Sequence, residues 1–168
     1  LEAIFFYFFI YLFMTLGAFW VVIVLVNRLG GADMARFKGV AYSAPFLFAT
    51  MFIFLISLTG LPPTAGFVAK FMLFKVVMSA GVANMADGAI TPMAGFYFLL
   101  ALVGMLNSVV SLYYYMNIAK VMVFDKPADG ATALGENGLD RALAGVLAVP
   151  VLVLLSFTPV LELIGLTQ

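Results

Sequence analysis

The 24 residues from Ala3 to Val26 contain no charged side chain. As a helix they would reach about 36 Å, enough to cross a bilayer whose hydrocarbon core is about 30 Å thick. Four more apolar runs follow: Val40 to Leu61, Ala65 to Val82, Ala94 to Phe124, and Ala142 to about Phe157. Hydrophobic residues make up 65% of the chain and charged residues 10%, against about 45–50% and about 25% in soluble domains. Too few charges exist to coat so much apolar surface with a polar shell. The expected fold is an all-α transmembrane helical bundle, one membrane domain over residues 1–168.

The same composition narrows the chemistry. The formal net charge is zero, so nothing points to nucleic acid or another highly charged partner. The chain has no cysteine and no histidine. Disulfides, Cys or His metal sites, iron–sulfur and haem ligation by these residues, and Ser-His catalysis all fall away for this chain. Electron transfer, if it occurs, belongs to other chains. The sequence opens on Leu1 and runs straight into apolar residues, with no basic segment or small-residue cleavage site ahead of them. We read Leu1 as a start inside a longer or split polypeptide.

The second and third runs meet at Pro62-Pro63, which an unbroken helix does not tolerate. Loop charge distinguishes one broken crossing from two. Lys and Arg favour the cytoplasmic side, and the loop after the first run carries Arg28, Asp33, Arg36 and Lys38. The stretch from Ala83 to Met93 has one charge, Asp87, and no Lys or Arg, whereas Lys120, Lys126 and Arg141 flank the segment Asp125 to Asp140. One discontinuous span puts both basic segments inside, and the tail with Glu162 outside. Its difficulty is length, since the two halves total about 60 Å, so their ends must protrude or the halves must sit offset sideways. About four crossings result: 3–26, the broken pair 40–61 and 65–82, 94–124, and 142–157.

Backbone that leaves the helix at membrane depth is tolerated only inside protein or beside a wet cavity, and transporters build ion sites at such breaks. Pro62, Pro63 and Thr64 therefore mark a candidate functional break. The alternative is a helix–loop–helix turn at the membrane surface. Lys70 lies about two turns further on. A lysine at mid-bilayer costs about 2.5–3.5 kcal/mol, and an amine there can take up and release a proton. The alternative is a lysine snorkelling to the interface. Gly66, one turn earlier on the same face, leaves space for a water or another helix. Lys75 is about 140° away around the helix and is read as snorkelling.

In the fourth run Asn107, Ser111 and Tyr114 fall at helical spacing, with Ser108 and Tyr115 beside them. Such a stripe either glues helices together or lines a hydrated path. Lys120 reaches the inner interface or forms the mouth of that path. Tyr7, Tyr11 and Thr15 share one face of the first run, with Gly17 and Ala18 as small packing positions. The basic loop is read as a topology signal and Asp125 to Asp140 as a solvated loop.

The stretch Ser57-Leu58-Thr59-Gly60-Leu61-Pro62-Pro63-Thr64-Ala65-Gly66-Phe67-Val68-Ala69-Lys70-Phe71 resembles the broken helix of the antiporter-like subunits of respiratory complex I. Tyr11 to Phe19 is similar to the preceding helix of that family. Leu106 to Tyr115, followed by Lys120-Val121-Met122, is similar to the following one. The triple tyrosine Tyr113-Tyr114-Tyr115 points to the subunit N group, the bacterial counterpart of mitochondrial NADH dehydrogenase subunit 2, over subunits L and M. The resemblance covers nearly the whole chain but only the family's C-terminal part, helices eleven to fourteen. It implies one discontinuous span and an outside C-terminus.

By the same resemblance Lys70 belongs to a central axis of charged, hydrated residues, a position that can hold glutamate in subunit M. It implies a proton-translocating subunit of NADH:quinone oxidoreductase, with a proton path through Lys70, Asn107, Ser111, Tyr114 and Lys120. It also implies no cofactor or catalytic site in this chain, with FMN and iron–sulfur clusters carried by other subunits. The partners implied are subunits M and L, the small J and K type subunits, the N-terminal half of subunit N, and lipids. The location implied is a bacterial or mitochondrial inner membrane. A multi-subunit cation/proton antiporter shares the fold, and a structural membrane scaffold is the third reading.

Overall fold

The computed structural model describes residues 2–62, 64–125 and 137–153. Among them the order is α1 (Glu2–Leu29), a 3-10 turn (Met34–Phe37), α2 (Val40–Ser43), α3 (Pro45–Thr59), α4 (Ala65–Ala83), α5 (Pro92–Phe124) and α6 (Gly138–Val153). Three of these, α1, α4 and α5, are long and apolar enough to cross a membrane, and α3 is a shorter apolar helix. Many large side chains on α1 and α5, such as Phe8, Phe19, Leu102 and Val109, face outward. That is the pattern of helices solvated by lipid or by neighbouring membrane helices.

α3 and α4 follow one another along α5. Phe98 near the start of α5 packs on Gly81 at the end of α4, and Phe74 packs on Gly104. Further along, the last turns of α5 face Phe48 and Phe52 of α3. The order of contacts sets α3 and α4 one after the other alongside α5, both antiparallel to it. Against α1 the order is the same, with Gly17 on Phe54 of α3 and Tyr7 and Tyr11 beside Lys70 of α4. Gly66 of α4 lies against Ser57 of α3, so the ends of the two helices overlap instead of stacking end to end.

The core between α1, α3, α5 and α6 is built from Ile10, Met14, Val21, Leu25, Leu47, Phe54, Leu55 and Met122. Phe54 is fully buried, and its ring occupies the space where a side chain at residue 17 would begin. Gly17 and Ala18 are thus packing positions, as their size implies.

Several boundaries differ from expectation. The run Val40 to Leu61 is not one helix: Ala44 leaves the helical region (φ −143°, ψ 71°) and Pro45 starts α3. A residue before proline is pushed toward extended backbone, and proline favours a first helical position. α1 continues past Asn27 and Arg28 to Leu29. α5 begins at Pro92, where the Thr91 hydroxyl accepts from the Ala94 N–H at 3.1 Å. α6 begins four residues early and contains Pro150.

Asp140 and Arg141 therefore belong to a helix, not to a solvated loop. Asp140 pairs with Arg28 across the bundle, the two side chains only 19% and 15% exposed, and Arg141 lies 5.1 Å over the Phe46 ring. Arg28 is thus a packing cation between α1 and α6. Pro63, Lys126, Glu136, Phe157, Thr158, Pro159 and Glu162 lie outside the described residues.

Candidate functional site: a lysine at a helix break

A helix end leaves its last four carbonyls without partners in the helix. For α3 these belong to Ile56, Ser57, Leu58 and Thr59. Gly60 turns the chain in the left-handed region (φ 81°). Its N–H then reaches the Ser57 carbonyl at 3.0 Å, and the Leu61 N–H reaches Ile56 at 3.2 Å, the Schellman arrangement. Two carbonyls remain, and both accept from Lys70. Its ammonium nitrogen lies 2.9 Å from the Leu58 oxygen and 3.0 Å from the Thr59 oxygen. A cation there meets the negative end of the α3 dipole. Two of the three ammonium hydrogens are thereby used.

The start of α4 is held from the other side of the break. Thr64 caps nothing, since its hydroxyl donates to the Leu61 carbonyl at 2.8 Å. Instead the Gly66 N–H donates to the Ser57 hydroxyl at 3.1 Å, and that hydroxyl donates to the Met14 sulfur at 2.8 Å. A Cβ at residue 66 would collide with the Ser57 carbonyl. The space beside Gly66 is therefore filled by α3, the helix alternative of the two expected. Pro62 is exposed at the turn, and Pro63 lies outside the described residues.

Lys70 also faces a cavity of about 180 Å³. Asn107, Ser111 and Tyr114 of α5 line it, together with Tyr7, Tyr11 and Met14 of α1, Leu58 and Tyr115. At about 30 Å³ per water it has room for roughly six. The Ser111 hydroxyl donates to its own helix at Ser108 (2.7 Å) and keeps acceptor capacity. The Tyr7 and Tyr11 rings stack at 5.9 Å, and those of Tyr114 and Tyr115 meet at 4.4 Å. Hydroxyl and amide groups that both donate and accept, set around a lysine, can pass a proton through intervening waters.

Lys120 does not join this group. Nine residues after Ser111, it points to the opposite side of α5 and lines a separate, mostly apolar groove with Phe48 and Phe52. Lys75 is exposed and lies outside the cavity. Sequence reasoning missed Ser57 and Gly60 as supports of the break, and did not assign Tyr7 and Tyr11 to the cavity. Their four-residue spacing had placed both tyrosines on one face. Ser57 gave no signal, because its partners are set by the overlap of the two half-helices.

Residues 1–90 match the sequence model of a family described as "NADH:quinone oxidoreductase/Mrp antiporter, TM". That is more than half the chain, and it includes the break and Lys70. The chain belongs to this family. Family membership agrees with the all-α membrane fold and a multi-pass membrane location. Curated relatives extend the likeness through α5. The chain is 40% identical over 154 residues to NADH-quinone oxidoreductase subunit N 2 of Sorangium cellulosum, covering 91% of this chain and 28% of the relative. It is 37% identical over 160 residues to subunit N 2 of Chloroherpeton thalassium, covering 94% and 29%. It is 37% identical over 155 residues to subunit N of Chlorobium chlorochromatii, covering 92% and 27%. The chain thus spans under a third of the length of these relatives.

Proposed function

We propose that this chain is part of a proton-translocating membrane-arm subunit of an NADH:quinone oxidoreductase, and that Lys70 carries the proton. The observation behind this is the double position of one ammonium group. Lys70 caps the broken end of α3 and also borders a polar cavity walled by Asn107, Ser111 and Tyr114. A proton released from Lys70 passes to that cavity, and the amine is recharged from it. In this reading Asn107, Ser111 and Tyr114 orient the waters, while Lys120 stands apart from the path.

The named relatives support the oxidoreductase assignment. The partners proposed are antiporter-like subunits M and L, small J and K type subunits, the N-terminal half of subunit N, and lipids. This chain has neither Cys nor His to ligate an iron–sulfur cluster, and both the clusters and FMN are proposed for other subunits. The setting is a bacterial or mitochondrial inner membrane, with the Arg28–Lys38 loop on the inner side.

A second reading, a subunit of a multi-subunit cation/proton antiporter, is favoured by the family description itself, which names both groups. Sealed vesicles holding the assembled complex separate the two. NADH-driven proton movement that persists without sodium supports the first reading, provided Lys70→Ala abolishes it while NADH oxidation continues. Sodium-dependent proton exchange that needs no NADH supports the second. Full NADH-driven pumping by Lys70→Ala overturns the role given to Lys70.

A further inference from the structure

A groove runs along the side of α5 that faces away from the lysine cavity. Phe48 and Phe52 of α3 form one wall, their rings stacked at 5.8 Å, and Val109, Leu112, Asn117 and Lys120 of α5 line the other. Its volume is about 1010 Å³, at the upper end of the about 300–1,000 Å³ of small-ligand pockets. The groove changes character along its length. Val109 and Leu112 are apolar, whereas Asn117 and Lys120 follow toward the end of α5. Five residues beyond Lys120, Asp125 pairs with Lys38 of the basic loop at 3.4 Å, so this end of the groove lies at the basic end of the bundle. Arg36 is paired with Asp33. Lys120 is exposed and has no carboxylate partner among the described residues.

Along the helix axis Val109 and Lys120 are about 16 Å apart at about 1.5 Å per residue, and one leaflet's share of a hydrocarbon core about 30 Å thick is about 15 Å. The groove therefore has the length of one leaflet's acyl layer, with an ammonium group where the headgroups begin. We propose that it binds an anionic phospholipid of the leaflet at the basic end of the bundle. One acyl chain lies between Phe48, Phe52 and Leu112, the phosphate sits on Lys120, and the Asn117 amide donates to an ester or phosphate oxygen. By the loop-charge rule that leaflet is the inner one. A lipid fits this groove better than a protein helix does. A helix packed here would cover Lys120 and would have to supply a carboxylate, because burying an unpaired charge is strongly unfavourable. A phospholipid carries the countercharge at headgroup depth and the apolar chain beneath it in one molecule. The inference does not depend on Lys70, whose cavity lies on the other side of α5.

The test uses the assembled complex, washed in detergent to remove bound lipid and returned to vesicles of phosphatidylcholine. The vesicles are doped with a photoreactive probe, either phosphatidylglycerol or phosphatidylcholine, each with a diazirine midway along one acyl chain. After irradiation the labelled residues of this chain are read by fragmentation mass spectrometry. Leu99 and Leu102, exposed on α5, report general contact with lipid. Phe48, Phe52 and Leu112 should label about fivefold more with the phosphatidylglycerol probe, the ratio that corresponds to the attraction of about 1 kcal/mol between one basic residue and an anionic leaflet. Leu99 and Leu102 should label equally with both probes. Lys120→Gln should abolish the preference in the groove and leave the Leu99 and Leu102 signals unchanged. Leu112→Trp, which fills the groove, should reduce labelling of Phe48 and Phe52 by both probes. Equal labelling of the groove by the two probes, or a preference that survives Lys120→Gln, overturns the phosphate site. Labelled Leu102 beside unlabelled Phe48, Phe52 and Leu112 would mean that protein fills the groove, and would overturn the lipid.

Discussion

The ammonium of Lys70 lies 3.0 Å from the carbonyl oxygen of Thr59, the last residue of α3. One side chain from the second turn of α4 thus closes the open end of the helix before it. The break and the lysine are one structural unit, and a change in either is felt by the other. The two roles of Lys70, holding the break and carrying the proton, can be separated by substitution.

Gly60 holds the turn that brings Lys70 to the carbonyls. Its φ of 81° costs a residue with a side chain about 1–2 kcal/mol, and a Cβ there would lie 2.8 Å from the Lys70 Cδ. Gly60→Ala should therefore lower the melting temperature of the solubilised complex and displace the ammonium, reducing pumping more than NADH oxidation. Unchanged pumping together with lowered stability would separate Gly60 from the function.

Gly66 and Ser57 make a graded pair. Gly66→Ala drives a methyl group into the Ser57 carbonyl, which is backbone and cannot step aside; overpacking of this kind costs about 1–3 kcal/mol or more. Ser57→Ala leaves the Gly66 N–H without its acceptor, a loss of about 1–3 kcal/mol. In thermal melts of the assembled complex both should destabilise, and Gly66→Ala more. The reverse order would mean that the hydroxyl, not the close approach of the helices, holds the break.

Arg28 and Asp140, 112 residues apart, join the end of α1 to the start of α6. The pair is mostly buried but not sealed, so its loss should fall between the exposed value of about 0–1 kcal/mol and the fully buried value of about 3–5 kcal/mol. Asp140→Asn should lower stability by an amount in that interval, and exchanging the two residues should restore part of it. A double-mutant cycle with no coupling would show that α6 docks by apolar contact alone.

How much of this the sequence carried depended on whether the cause was local. Apolar length located α1 and α5, and Pro62-Pro63 marked the discontinuity. Helical spacing grouped Asn107, Ser111 and Tyr114, which line one cavity with Lys70. The same arithmetic puts Lys120 on the opposite side of α5, a signal present but unused. Pro45 also marked a break that was passed over. Other features had no local sign. Ser57 acts because two half-helices overlap, and Arg28 because α6 docks beside it. Each depends on contacts between distant parts of the chain, which periodicity does not report.

Lys70→Arg isolates the central claim. Arginine can still donate to the Leu58 and Thr59 carbonyls, but it does not release its proton at physiological pH. Lys70→Ala removes hydrogen bonds from a charged donor worth about 1.5–3 kcal/mol each. The decisive quantity is protons moved per NADH oxidised in sealed vesicles, measured beside the melting temperature of the same complex. Expected is a Lys70→Arg complex that melts near the unsubstituted one, oxidises NADH and moves fewer protons per turnover. A Lys70→Arg complex with the full proton ratio would show that Lys70 only holds the helix end.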